Sequence, residues 1–275
     1  MSTGYTLETC PRSYSLTYSS PSSVPSLPPT SNPFIIISTL IQRQRRQLIH
    51  YIPPTQAWAL GATKLLGRGA TFEVRQWQSD IWRVQYVIKS PLRSPQRTHD
   101  SITQAVIREL RVLSHPPLHA CGGVVLLYGV KWNESADPNF GPLPSLILEF
   151  AEFGNLDNLF RAGGELDERQ AVWLAADIAA GLAALHDCAV IHGDIKAGNV
   201  LIFRKWRDDA EGYTAKLSDF GHTIFEMDVQ DGWIDIQGTH PWIAPEYVGS
   251  VESRFLKQSE CSVQFYSCLG CGCFD

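Results

Sequence analysis

No run of apolar residues in this chain approaches the roughly 20 that span a bilayer as a helix. The longest, "FIIISTLI" at Phe34–Ile41, is far too short, and it lies too deep in the chain for an ordinary signal peptide. No membrane span is expected. Positive charge is scarce as well. Residues 1–72 hold one acid, Glu8, against six Lys and Arg; 17 bases and 27 acids then remain, a balance of −10. An acidic body gives no electrostatic footing for nucleic acid as the main partner. A disulfide pattern is missing too. The seven cysteines are an odd number, and four of them (Cys261, Cys268, Cys271, Cys273) crowd the last fifteen residues. That argues against a secreted framework and for a reducing compartment, the cytoplasm or the nucleus.

What is there suits a globular protein: 44% apolar and 19% charged residues supply a sizeable core. Residues 1–56 read otherwise. "SLTYSSPSSVPSLPPTSNP" cannot bury enough to fold alone, and "IQRQRRQ" after it is a basic cluster read as a solvated linker rather than an address. A mitochondrial transit peptide shares this acid-poor bias, but so do low-complexity tails, and a disordered N-terminal segment is the simpler reading. Order is expected from Ala57. "KLLGRGATFEVRQWQ" predicts strand, glycine turn, strand; "WRVQYVIKS", "GGVVLLYGV" and "PSLILEF" predict three further strands. Between them, Ile102, Val106, Leu110 and Leu113 recur at helical spacing. From Asp167 the acid-led, Ala/Leu-rich "DERQAVWLAADIAAGLAALHDC" predicts a long buried helix. A β-rich half followed by a helical half implies an α+β fold of two lobes, and ligands favour the cleft between lobes.

Several residues there carry chemistry. Gly67 and Gly69 in "GRG" would let backbone N–H groups approach a polyphosphate, although a hairpin turn explains two glycines equally well. Lys89 ends an apolar strand, with Glu109 on the helix that follows; alone, the two would read as a surface salt bridge. In "VIHGDIKAGNVLI", Asp194 suits a base accepting a hydroxyl proton, and the Asn199 amide oxygen suits a metal. Asp219 in "LSDFG" offers a metal-binding carboxylate, and phosphoryl transfer needs these parts together.

Lys89, Glu109, "HGDIKAGN", "DFG" and "APE" occur in an order and spacing that resemble the eukaryotic protein kinases, over about Leu60 to Glu246. The resemblance implies a two-lobed kinase fold: an N-lobe over 57–148, a hinge and first part of the C-lobe over 149–246, and an atypical Cys-rich tail over 247–275. It further implies that Gly67 and Gly69 cover the phosphates of ATP, and that Lys89 holds them and pairs with Glu109. Asp194 would be the base, Lys196 its neighbour at the transferred phosphate, and Asn199 and Asp219 the ligands of Mg²⁺. Val74, Val87 and Leu201 would line the adenine site, Glu149–Ala151 would be the hinge, and Leu148 would guard the pocket behind it. Lys196 and Thr239 resemble the serine/threonine branch, which implies protein substrates.

The departures carry information. Phe72 stands at the third glycine position, which implies a stiffer loop, and Val87 stands where the family usually has Ala. Gly193 replaces the Arg that in many kinases pairs with a phosphorylated activation segment, and residues 224–238 contain no Ser, Thr or Tyr. Loop phosphorylation is therefore not expected to act as a switch, and Glu226, Asp228, Asp231 and Asp235 are expected to be solvated. Only 29 residues follow Glu246, so an incomplete helical C-lobe and an exposed face on the Glu168–Cys188 helix are expected. "CLGCGC" fits no standard zinc spacing and reads as an altered or truncated end. Two other readings stand beside the kinase: an inactive ATP-binding or interaction module, and a small-molecule phosphotransferase of kinase-like fold.

Overall fold

The computed structural model describes residues 23–24, 27, 32–44, 50–51, 62–79, 84–92, 97–132, 143–163, 166–207, 210–228, 233–235, 239, 242 and 255–257. The first lobe is a sheet of order β1-β5-β6-β4-β3-β2, built from β1 (His50–Tyr51), β2 (Ala62–Arg68), β3 (Phe72–Ser79), β4 (Val84–Pro91), β5 (Leu127–Trp132) and β6 (Pro144–Glu149). Only β1 runs parallel to its neighbour; the other five strands are antiparallel. Those five are the strands the sequence predicts. "GGVVLLYGV" differs in part: its strand begins at Leu127, because Gly123 and Val125 instead exchange backbone hydrogen bonds with Leu217 (2.9 and 3.0 Å).

Between β4 and β5 comes α2 (His99–Leu113), capped by the Thr98 hydroxyl, which accepts from Ser101 N. Its predicted apolar face (Ile102, Val106, Leu110, Leu113) is buried, and this stripe rather than propensity holds the helix in place. A short α3 (Pro116–Ala120) follows.

The segment 1–56, read as disordered, contains a helix, α1 (Pro33–Gln44), among its described residues. It buries Ile36, Ile37 and Leu40, packs on α2, and sets Phe34 5.4 Å from the Trp132 ring. The correction has a plain cause: "FIIISTLI" is too short for a bilayer but long enough to bury one apolar stripe against a partner. Upstream, Val24 is buried, and its N–H donates to Cys188 O at 3.1 Å.

The second lobe holds α4 (Leu156–Arg161) and α5 (Glu168–Asp187), each opened by a capping box, Asn155 with Asn158 and Asp167 with Gln170. α5 buries Leu174, Gly181, Leu182 and Leu185, while Val172 is exposed. The lobe is less purely helical than expected. A long hairpin of β8 (Val200–Arg207) and β9 (Ala210–Leu217) lies against α5, and β7 (Val190–Ile191) pairs with β10 (Ile224–Phe225). β11 (Trp233–Asp235) pairs with β12 (Phe255–Lys257). The "APE" residues 244–246, Asp231 and the cysteines of the tail lie outside the described residues.

Candidate active site

The site forms where β4, α2 and the loops after β7 and β9 converge. Strand alternation sends Val87 and Lys89 to the same side of β4, and both are buried. Lys89 Nζ pairs with Glu109 Oε1 and lies 2.9 Å from Asp219 Oδ1. Glu109, fully buried on α2, also accepts from Phe220 N at 2.9 Å. One carboxylate thus ties the strand lysine to the segment that carries Asp219. Asp219 itself adopts φ +63°, a left-handed conformation tolerated by Asp and met most often at functional sites.

These charges perturb one another. Burial pushes the Glu109 carboxyl up to about 7, with Lys89 pulling the other way. Lys89 beside it holds the Asp219 carboxyl well below the usual carboxylate range. Burial alone would lower Lys89, but Glu109 and then Asp219 outweigh it and hold the ammonium above its ordinary range. Lys89 therefore stays charged, as a phosphate-binding cation must.

The loop after β7 carries Asp194. Its Oδ2 accepts from Lys196 Nζ (2.7 Å) and Asn199 Nδ2 (3.0 Å), and its Oδ1 accepts from Thr239 Oγ1 (2.7 Å) and Thr239 N (3.1 Å). Burial raises this carboxyl, but the hydrogen bonds from Lys196 and Thr239 more than offset it, and the pKa is lowered. Lys196 Nζ also reaches Thr239 Oγ1 at 2.7 Å. Asn199 donates again to Asp194 O (2.7 Å), so its amide nitrogen is committed and its oxygen is the donor left for a cation. Ser218 donates from N and Oγ to Asn199 O, both at 2.9 Å, which fixes the residue before Asp219 beside Asn199. An amide oxygen and a half-exposed carboxylate fit Mg²⁺, a hard cation that takes few protein oxygens and completes its shell with phosphate and water. Among the described residues no group of three His, Cys, Asp or Glu forms a closed metal cage.

The residues expected at an adenine site lie on β3, β4, β6 and β8. Val74 pairs with Lys89 and Gln76 with Val87 across β3 and β4, while Val87 opposes Leu148 across β4 and β6. Leu201, the second residue of β8, forms an antiparallel bridge with Asn155. Glu149 behaves differently from a simple hinge residue. Its side chain turns inward and accepts from Leu126 N (2.7 Å) and Lys216 Nζ (2.7 and 2.8 Å). Gly67 lies in β2, opposite Val74 just past a register shift at Leu65, and Gly69 lies in the β2–β3 turn, which its N–H closes by donating to Phe72 O at 2.8 Å.

Three features escaped the sequence reading. Phe72 does more than stiffen the loop: its ring is buried, 4.5 Å from Lys89 Nζ. Thr239 is a ligand of Asp194 rather than merely a mark of the serine/threonine branch, and the "GT" before "HPWIAPE" was the available signal. Asp228, expected in solvent, is held by Arg111 of α2, and no sequence spacing signalled that pair.

A lysine clamped by carboxylates from two elements, joined through Ser218 and Asn199 to a hydrogen-bonded aspartate, brings together the kinds of group that phosphoryl transfer needs. The family model described as "Protein kinase domain" matches residues 61–273. The chain belongs to the protein kinase family, and the match runs beyond Glu246, where the motifs stop. It is similar to mitogen-activated protein kinase kinase kinase 13-A of Xenopus laevis, 32% identical over 142 residues, which are 52% of this chain and 13% of that protein. It is also similar to mitogen-activated protein kinase kinase kinase 3 of Arabidopsis thaliana, 28% identical over 204 residues, 71% of this chain and 28% of that one. The chain thus spans a small part of the curated relatives it matches.

Proposed function

We propose that this chain is a cytoplasmic, ATP- and Mg²⁺-dependent serine/threonine protein kinase. The observation that carries this reading is the position of Lys89, fixed from two sides by Glu109 and Asp219, with Ser218 and Asn199 linking Asp219 to Asp194. Lys89 would bind phosphate oxygens. Asn199 and Asp219 would hold Mg²⁺, which when bound neutralises charge on the transferring group. Asp194, kept ionised by Lys196 and Thr239, accepts the proton of the incoming hydroxyl. Lys196 Nζ, already 2.7 Å from Asp194 Oδ2, adds positive charge where the phosphoryl oxygens pass. The relatives are named as kinases of protein kinase kinases, so a protein kinase kinase is the first substrate to offer.

One observation favours the inactive interaction module instead: the Phe72 ring lies 4.5 Å from Lys89 Nζ, where phosphate oxygens would bind. Mg²⁺–ATP binding and γ-phosphoryl transfer to a peptide library and to a protein kinase kinase, with Asp194→Asn beside the wild type, separate the two. The kinase reading expects Asp194→Asn to lower kcat by about 10²–10⁴-fold with ATP affinity kept. No transfer by the wild type establishes the module; equal transfer by both proteins removes Asp194 from the role of base.

A further inference from the structure

Asp228 lies in the stretch 224–238 that has no hydroxyl to phosphorylate, behind a catalytic loop with Gly193 in place of a receiving Arg. A cation for it comes from another element. Arg111 of α2, its side chain 2% exposed, reaches Asp228 with both guanidinium arms, Nη1 to Oδ2 and Nη2 to Oδ1, the latter at 3.2 Å. The same guanidinium lies over the Phe225 ring, 3.6 Å from its centroid. We propose that Asp228 stands in for an activation-segment phosphate, and that its pair with Arg111 is the latch holding α2 where Glu109 meets Lys89. The proposal deepens the kinase reading and rests on it for its bearing on activity.

A guanidinium so deeply buried is favoured by an anion facing it, and Asp228 meets it with both carboxylate oxygens. Arg111 is two residues from Glu109 on a single rigid helix, so what fixes one fixes the other. The neighbouring contacts point the same way: Arg108 Nη1 donates to Gly221 O at 3.2 Å, and Glu109 accepts from Phe220 N at 2.9 Å. Positions 108, 109 and 111 of α2 thus each grip a point of the segment 220–228. That segment is in turn anchored to the catalytic loop, because Phe225 pairs with Val190 and Ile224 with Ile191, just ahead of His192 and Asp194. Arg111 and Asp228 are therefore positioning residues. They act through Glu109 and through β10, and they need no modification to do so.

The test uses the full chain with Asp228→Asn, a change at a half-exposed side chain that spares the fold, together with Asp228→Glu and the charge swap of Arg111→Asp with Asp228→Arg. Amide hydrogen exchange across 99–113 and 220–225 reads the latch directly, without any need for activity. Asp228→Asn is expected to speed exchange in both stretches and weaken Mg²⁺–ATP binding about tenfold, raising KM for ATP more than it lowers kcat. Asp228→Glu is expected to recover most of the loss. Wild-type exchange and affinity in Asp228→Asn would overturn the latch; so would a fall in wild-type affinity after phosphatase treatment, since a phosphate would then hold the segment. If the wild type transfers no phosphate, the kinase reading fails while exchange and binding still decide the latch.

Discussion

Gly193 shows how much one residue can carry. Its φ is +80°, and a β-carbon built there would lie 2.4 Å from His222 O, a backbone atom that cannot swing aside. The absent arginine is thus a backbone requirement here as well as a lost phosphate receiver: no L side chain fits this conformation against that carbonyl. Gly193→Ala is expected to cost about 1–3 kcal/mol of stability, read by urea denaturation, with kcat falling as Asp194 shifts. Gly193→Arg, which would restore the family's usual residue, is expected to fare no better. A stable and active Gly193→Arg would mean that the loop has a second accessible conformation. The sequence revealed the glycine and the loss of the receiver; the positive φ and the His222 carbonyl were out of reach, because they depend on where another loop passes.

At the scale of elements, the packing of α5 turns on a contact between two glycines. A β-carbon on Gly181 would meet Gly123 O at 2.7 Å and Leu217 Cδ1 at 3.2 Å. Gly123 O in turn accepts from Leu217 N, two residues before Asp219, so this close approach sets the strand that delivers the Asp219 carboxylate. Gly181→Ala sets two effects in opposition. Helix propensity favours Ala by about 1 kcal/mol, while forcing a methyl against backbone costs about 1–3 kcal/mol. Net destabilisation of about 1 kcal/mol is expected from chemical denaturation, with slower phosphate transfer; a more stable variant would show that the helix can slide outward. The same scale separates what was legible from what was not. α2 and α5 announce themselves because one face must be apolar at helical spacing and the caps are local. α1 hid inside a Ser/Pro-rich, basic context, since its stability comes from docking on α2 rather than from its own composition. The β8–β9 hairpin hid because "FRKWRDDAEGYTAK" mixes charges on both faces. Its cross-strand Arg204–Glu211 pair (2.7 Å) and the Phe153–Tyr213 ring contact exist only once the strands are paired.

For the molecule as a whole, the reacting groups were readable because each must be a particular residue type in a fixed order, while the interactions that aim them were not. Lys89, Glu109, Asp194, Asn199 and Asp219 all converge as their motifs imply, but Thr239, Phe72, Lys216 and the Arg111–Asp228 pair come from distant stretches. This dense buried polar network also sets how stability responds to pH. His192 is buried, its Nε2 hydrogen-bonds to Ser218 O at 3.0 Å, and its Nδ1 accepts from Asp194 N at 3.3 Å. That arrangement needs a neutral ring with the proton on Nε2, because a second proton on Nδ1 would face an N–H. Burial accordingly holds its pKa down, to about 4, although the Ser218 carbonyl, Asp219 and Asp194 all pull upward. Between that value and 6.5 the unfolded state binds the proton and the folded state does not, so the contribution of His192 is lost as pH falls through the window. Glu109 works in the opposite sense: burial raises its carboxyl above the unfolded value, so that contribution is lost as pH rises. The two slopes oppose each other, and the wild-type curve alone is expected to be shallow. The difference between wild type and His192→Gln isolates the histidine, since Gln keeps a donor and an acceptor but does not titrate. Measured by urea denaturation, that difference is expected to turn against the wild type by about 3 kcal/mol between pH 7 and pH 4. Parallel curves for the two proteins would mean that His192 takes up its proton inside the folded state at ordinary pH, and that the Asp194 loop tolerates a cation the present geometry excludes.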